Sequence, residues 1–240
     1  HVDYIVHIPD AIFKNYLVTK ATLNTNADGE IQVSEANAYN QPISVGSLGI
    51  TDMTGLEWFP NINQLLCASN SISVLNLANN LLLRILICND NLLEELDLSA
   101  NPEFYYLQCQ NNQLSSLNLK NGNNQNQTMC RIYNNNLTCV TVDDPDYSRT
   151  HWNEIDPGVA FSMDCSDPAP VINDVELTHI EGCYGDSTGI IHIVASEGDG
   201  VFAYSIDSGA TWQAGATFND LPAGSYNIQV KDENAYRVGW

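Results

Sequence analysis

No stretch of this chain approaches the roughly 20 consecutive apolar residues that span a bilayer, which excludes a membrane-inserted helix from the sequence reading. Basic residues are also scarce: 8 Lys and Arg stand against 29 Asp and Glu, a formal charge of −21. Such a surplus repels phosphate backbones and anionic lipid headgroups, so neither nucleic acid nor membrane insertion is expected. It suits calcium or a highly soluble extracellular surface. The few histidines, His1, His7, His151, His179 and His192, include no i, i+4 pair and none beside cysteines at finger spacing, which excludes a zinc site.

Catalytic signatures are missing as well. No G-x-S-x-G elbow is present, and the serines fall in turn-forming stretches. His192, inside GIIHIVAS, reads as an exposed strand residue, and Asp143, Asp144 and Asp146 read as a solvated turn around Pro145. No enzymatic activity is expected. His1 opens no recognisable signal peptide, so an export signal has been removed or lies outside these 240 residues.

What is present is a period. Cys67, Cys88 and Cys109 lie 21 residues apart in nearly the same phrase, LLCASNSISVLNL, LICNDNLLEELDL and LQCQNNQLSSLNL. A fixed period of this length marks a solenoid, whose coils each need a stacked neighbour to bury their apolar face. Aligning L-x-C-x-x-N-x-L places coils near Ile43, Leu65, Leu86, Leu107 and Cys130, with NGNNQNQT as an inserted loop before the last. Each coil has two halves, as in Leu83, Leu86, Cys88, Asn91 followed by Leu93, Leu96, Leu98, Asn101. Alternation around L-x-C and L-x-L predicts strands with one buried face. Asn70, Asn91, Asn112 and Asn135 recur in register and are expected to hydrogen-bond the backbone at the coil corner. The repeated cysteines are expected to be free, buried thiols. Cys139 and Cys165 flank a loop-rich stretch past the last coil, where a disulfide would stabilise a terminal cap.

The segment before the coils reads as a helical cap, with Asp10 as N-cap and Ile12, Phe13, Tyr16 and Leu17 as an apolar stripe. Next, Asn24, Asn26, Asp28, Glu30 and Glu35, with Gly29 at the sixth position, match the spacing of an EF-hand calcium loop. Asparagine in place of aspartate at the first position predicts weak affinity. The alternative is an Asx-rich turn without metal.

The phrases IPDAIFKNYLV, NTNADGEIQVSEA, GITDMTGLEWFPNINQL and NLTCVTVDDPDYSRTHW, together with the coils, resemble the leucine-rich-repeat proteins secreted by Bacteroidetes. The resemblance covers residues 1 to about 166 and implies a solenoid whose parallel sheet serves recognition rather than chemistry. On such a sheet Arg84, Tyr105, Tyr106, Gln108, Arg131 and Tyr133 point outward and become the candidate ligand-binding residues. The alternative is an ordinary, partly polar sheet face.

Beyond SDPAP the pattern changes to short alternating runs, VINDVELTH, GIIHIVASE, VFAYSID and SYNIQVKD, separated by turn residues at the spacing of an antiparallel sandwich. Cys183-Tyr-Gly185, Tyr204-Ser-Ile206-Asp-Ser-Gly209, Phe218-Asn-Asp-Leu221-Pro-Ala-Gly224 and Val230-Lys-Asp232 resemble the immunoglobulin-like repeat of the gliding adhesin SprB. The expected organisation is therefore mainly β. It comprises a helical N-cap over 1–42, a solenoid of about five coils over 43–142, a C-terminal cap over 143–168 and an immunoglobulin-like β-sandwich over 169–240. The two resemblances imply a recognition or adhesion protein, secreted or at the outer face of a Gram-negative bacterium through type IX secretion, that binds an extracellular protein or glycan. The alternative is an accessory carbohydrate-binding or spacer region of a larger secreted hydrolase.

Overall fold

A computed structural model describes residues 3–178 and 187–240. His179, Cys183 and Gly185 lie outside them. The chain divides into two compact units, His1–Val159 and Ala160–Trp240, a boundary that falls inside the stretch assigned above to the C-terminal cap.

In the first unit, α1 (Ala11–Val18) starts where Asp10 caps it, the Oδ1 atom accepting from the N–H groups of Ile12 and Phe13 at 2.9 Å each. The other oxygen of Asp10 accepts from the backbone N–H and hydroxyl of Thr51, at 2.9 and 3.1 Å, and so ties the helix to the first coil. Partial burial pushes this carboxyl up, but the hydrogen bonds from Thr51, Phe13 and Ile12 outweigh it and hold it below the usual carboxylate range. Phe13 and Leu17 are buried, as the stripe predicts, whereas Ile12 is exposed. Tyr16 is half-buried, and its hydroxyl oxygen accepts from the Ser44 N–H. The short helix α2 (Val33–Ala38) follows.

Five strands then form one parallel sheet: β1 (Ile43–Ser44), β2 (Gln64–Leu66), β3 (Ile85–Ile87), β5 (Tyr106–Gln108) and β7 (Met129–Arg131). Ile43, Leu65, Leu86, Leu107 and Cys130 are direct partners across it, the register that the repeat phrase dictates. The opposite halves of the coils contribute β4 (Glu95–Asp97), β6 (Ser116–Asn118) and β8 (Cys139–Thr141), also paired in parallel. Inward positions from both halves fill the interior, and Leu65, Cys67, Leu86, Cys88, Leu107 and Cys109 have no exposed surface. Cys130 occupies the leucine place and Ile132 the cysteine place, because the column needs only an apolar side chain of suitable volume.

The corners are closed by asparagine side chains. The amide nitrogen of Asn91 donates to the carbonyls of Cys67 and Cys88, at 3.0 and 3.1 Å, while its oxygen accepts from the Ile72 N–H at 3.0 Å. Asn70, Asn112 and Asn135 repeat the arrangement one coil apart. Just before each of these asparagines the chain is left-handed: Ser69, Asp90, Asn111 and Asn134 have φ of 57°, 56°, 58° and 55°. A second ladder runs along the other side. Asn80 donates to the carbonyls of Leu56 and Phe59, and Asn101 to those of Leu77 and Asn80. Replacing Asn91 with alanine strands several buried backbone groups at once and is expected to cost at least about 2 kcal/mol, read as a lower urea midpoint with an unchanged slope.

The second unit contains β9 (Ala160–Ser162) and two antiparallel three-stranded sheets. One has the order β10 (Pro170–Thr178), β11 (Gly189–Glu197), β13 (Thr217–Leu221); the other has β12 (Ala203–Ser205), β14 (Gln229–Lys231), β15 (Arg237–Gly239). Ile191 and Ile193 of the first sheet and Tyr204 and Val230 of the second share one apolar cluster. Beside it Asp232 is only 4% exposed, and its Oδ2 atom accepts no hydrogen bond. Burial pushes this carboxyl up, and the nearby Asp199 and Asp167 push in the same direction, against backbone hydrogen bonds from Tyr236 and Asn234. A raised folded pKa means that the folded state loses stability as pH rises through it. Asp232→Asn is therefore expected to stabilise this unit at pH 7 by about 1 kcal/mol, with the gain shrinking as the pH is lowered toward the range where the aspartic acid is itself protonated. Thermal melts at the two pH values measure it.

Candidate functional site

The outward surface of the five-strand sheet carries two side-chain rows fixed by the pairing. One runs Ser44, Leu66, Ile87, Gln108, Arg131, and the other Gln64, Ile85, Tyr106, Met129. Each central residue of β2, β3, β5 and β7 is buried, and its two neighbours are half-buried on the outer face. The parallel pairing thus brings Arg131 of the fifth coil beside Tyr106 and Gln108 of the fourth. Tyr105, one position before β5, and Tyr133, two positions after β7, are also half-buried.

Polarity changes along the sheet. The second and third coils present Leu66, Ile85 and Ile87 beside Gln64, and the fourth and fifth present Tyr106, Gln108 and Arg131 beside Met129. Gln108 donates from Nε2 to the Tyr106 hydroxyl at 2.7 Å. Arg131 pairs with Glu154 at 2.6 Å, and the carboxylate raises the guanidinium further. Arg84 pairs with Glu103 at 3.0 Å, but both side chains are about half exposed, so that pair adds little stability. Both arginines proposed for binding thus already hold carboxylates. Sequence reasoning missed the burial of Gln110, which alternation sets on the outward face and whose Oε1 atom accepts no hydrogen bond. It also passed over Leu81 and Leu82, which remain 52% and 47% exposed. The run LLLRILIC held the signal, since a strand with one buried face cannot hide every residue of it.

The loop read as an EF-hand closes by hydrogen bonds. Glu35 accepts at Oε1 from the Thr25 N–H at 2.7 Å, the Thr25 hydroxyl at 2.8 Å and the Asn26 N–H at 3.4 Å, and at Oε2 from the Gln32 N–H at 3.2 Å. Asp28 accepts from the Glu30 N–H and from the side-chain amides of Asn26 and Gln32, and these bonds hold its carboxyl below the usual range. Glu30 is turned away to Lys14, at 2.6 Å. Asn24 is buried, and its Oδ1 atom alone remains unclaimed. Gly29, at φ 82°, makes the sharp turn that the spacing anticipates. Among the described residues, no group of three or more His, Cys, Asp or Glu side chains could hold a metal ion. As placed, Asn26, Asp28 and Glu35 belong to a hydrogen-bonded turn, Glu30 to an ion pair with Lys14, and Asn24 donates to the Val18 carbonyl. Melting temperatures in excess chelator and in 1 mM Ca²⁺ are expected to coincide, and Glu35→Gln is expected to lower both, because an amide cannot accept all four bonds.

Other chemistry-bearing groups are committed to structure. Cys67, Cys88, Cys109 and Cys130 are free and buried, whereas Cys139 and Cys165 are each disulfide-bonded. Burial pushes the Cys67 thiol up to about 12 and raises the other three as well, so none supplies a thiolate nucleophile. Asp143 accepts from the Gly122 N–H, Asp144 caps α3 (Pro145–His151) through the Tyr147 N–H, and Asp146 pairs with Arg149. His192 shares a hydrogen bond with the Thr217 hydroxyl.

Solved structures similar to this chain include three from Listeria monocytogenes. The functional domain of InlJ, described as including a cysteine ladder, is 25% identical with a TM-score of 0.46, over 57% of this chain and 31% of that one. The internalin InlF aligns at 15% identity and a TM-score of 0.42, over 62% of this chain and 55% of its own. Internalin C2 aligns at 18% and 0.39, over 64% and 83%. This chain thus spans about a third of the InlJ domain's length. No family model matches the chain, and no curated protein does. Among the described residues no helix is long and apolar enough to cross a membrane.

Proposed function

We propose that this chain is a non-enzymatic recognition segment that engages an extracellular protein or glycan through the outward face of its solenoid sheet. The observation that carries this reading is the continuous outward surface of β2, β3, β5 and β7, on which tyrosine, amide, arginine and aliphatic side chains from four coils stand in two rows. Aromatics in such a surface add contact area at small entropic cost. Rigid stacking presents them without ordering a loop on binding.

Placement at the cell surface or outside the cell is part of the same proposal. Its support is the resemblance of the flanking phrases and the formal charge of −21. We assign the second unit to the immunoglobulin-like class. Supporting this is the strand order β10-β11-β13 beside β12-β14-β15, which corresponds to strands A-B-E and C-F-G of that sandwich.

Probing glycan and protein arrays with the whole chain tests the reading. Discrete binding is expected, and Tyr106→Ala combined with Tyr133→Ala is expected to weaken it tenfold or more without lowering the melting temperature by more than a few degrees. Arrays that stay blank, or binding indifferent to that double variant, would remove the sheet face from the function.

A further inference from the structure

We infer that the centre of recognition is the aliphatic surface of the second and third coils, and that its occupant is a segment of another protein carrying apolar side chains among basic ones. This rests on the sheet face being the recognition surface and specifies what that face takes.

The argument starts in the run Leu81 to Cys88. Leu83, Leu86 and Cys88 enter the core and have no exposed surface. Leu81, Leu82, Ile85 and Ile87 are left on the outside. Ile85 and Ile87 are on the sheet, and the pairing puts Ile87 directly beside Leu66. Leu81 and Leu82 lie on the turn that leads into the strand. The bonds Ile62 N–H to Phe59 carbonyl, Leu83 N–H to Asn80 carbonyl and Phe104 N–H to Asn101 carbonyl repeat from coil to coil. They align Leu81 with Pro60 and Pro102, so apolar side chains recur on this turn over three coils. Exposed and half-exposed aliphatic side chains therefore stand on both the turn and the sheet of these coils, and clustered exposed apolar area marks interaction sites in soluble proteins.

Two features select the occupant. Saccharide hydroxyls pressed on Leu66, Leu82 and Ile87 would lose water to side chains that offer no hydrogen bond, with Gln64 and Gln108 only at the margins, whereas apolar side chains lose nothing by the transfer. Charge supplies the second. Arg84 and Arg131, the cations on or beside this face, each already hold a glutamate, at 3.0 and 2.6 Å, within a chain of formal charge −21. An acidic partner is repelled and a basic rim is drawn in.

Defined peptides test this with the intact chain at 150 mM salt: one alternating Lys and Leu, one alternating Lys and Ser, one alternating Glu and Leu, each followed by fluorescence anisotropy. The Lys/Leu peptide is expected to saturate and to bind at least tenfold more tightly than either control. Leu81→Ser with Leu82→Ser is expected to weaken it tenfold or more while leaving the thermal melt unchanged, and amide exchange is expected to slow over residues 81–87. Equal binding of the Lys/Ser peptide would reduce the effect to charge and overturn the inference, as would unchanged affinity of the leucine variant. Glycan-array binding that the leucine variant keeps and the tyrosine variant loses would also overturn it, while leaving the sheet face as the recognition surface. Silence on peptides and arrays together would overturn both.

Discussion

The side-chain amide of a corner asparagine holds this solenoid in register. A coil of 21 residues must reverse direction sharply, and each reversal takes backbone N–H and C=O groups out of reach of the strand ladder. Asn91 answers the carbonyls of its own coil and of the preceding one, and accepts from an N–H of the preceding coil. One residue therefore closes a corner and links neighbouring coils. The cost is backbone strain at the preceding position, where non-glycine residues from Ser69 to Asn134 sit in the left-handed region. The buried leucine and cysteine columns supply the larger driving force, but they are non-directional and do not by themselves set which carbonyl meets which donor.

That constraint creates the outward surface. Once corners and core columns are in register, the residues between buried positions have no freedom to leave the face, and side chains far apart in sequence become neighbours. The solenoid can vary them without touching its own stability terms, which suits recognition. The acidic and thiol groups that elsewhere serve chemistry are used here as caps, corners and core.

The calcium reading shows where spacing arguments stop. Gly29 turns as the pattern requires, and Glu35 reaches back toward the start of the loop, so the local geometry was legible. What spacing could not specify is the partner at the end of the reach. Backbone N–H groups compete for the same oxygens as a cation, and Lys14, ten residues before the loop, draws Glu30 away. In the second unit the alternating runs announced strands, yet the crowding of Asp167, Asp199 and Asp232 arises from segments distant in sequence that no local pattern links.

By itself the sequence determined the coil period, the inward columns, the N-cap at Asp10 and the corner asparagines, because each depends on short-range periodicity or on groups within a few residues. Only the tertiary structure decided how the outward face is divided, with aliphatic side chains concentrated on the second and third coils and Arg84 and Arg131 each held by a glutamate. It also decided that Leu81 and Leu82 stay exposed and that Glu35 binds backbone. These outcomes depend on which groups from other coils come within hydrogen-bonding or van der Waals reach, and that distance is set by stacking rather than by spacing along the chain.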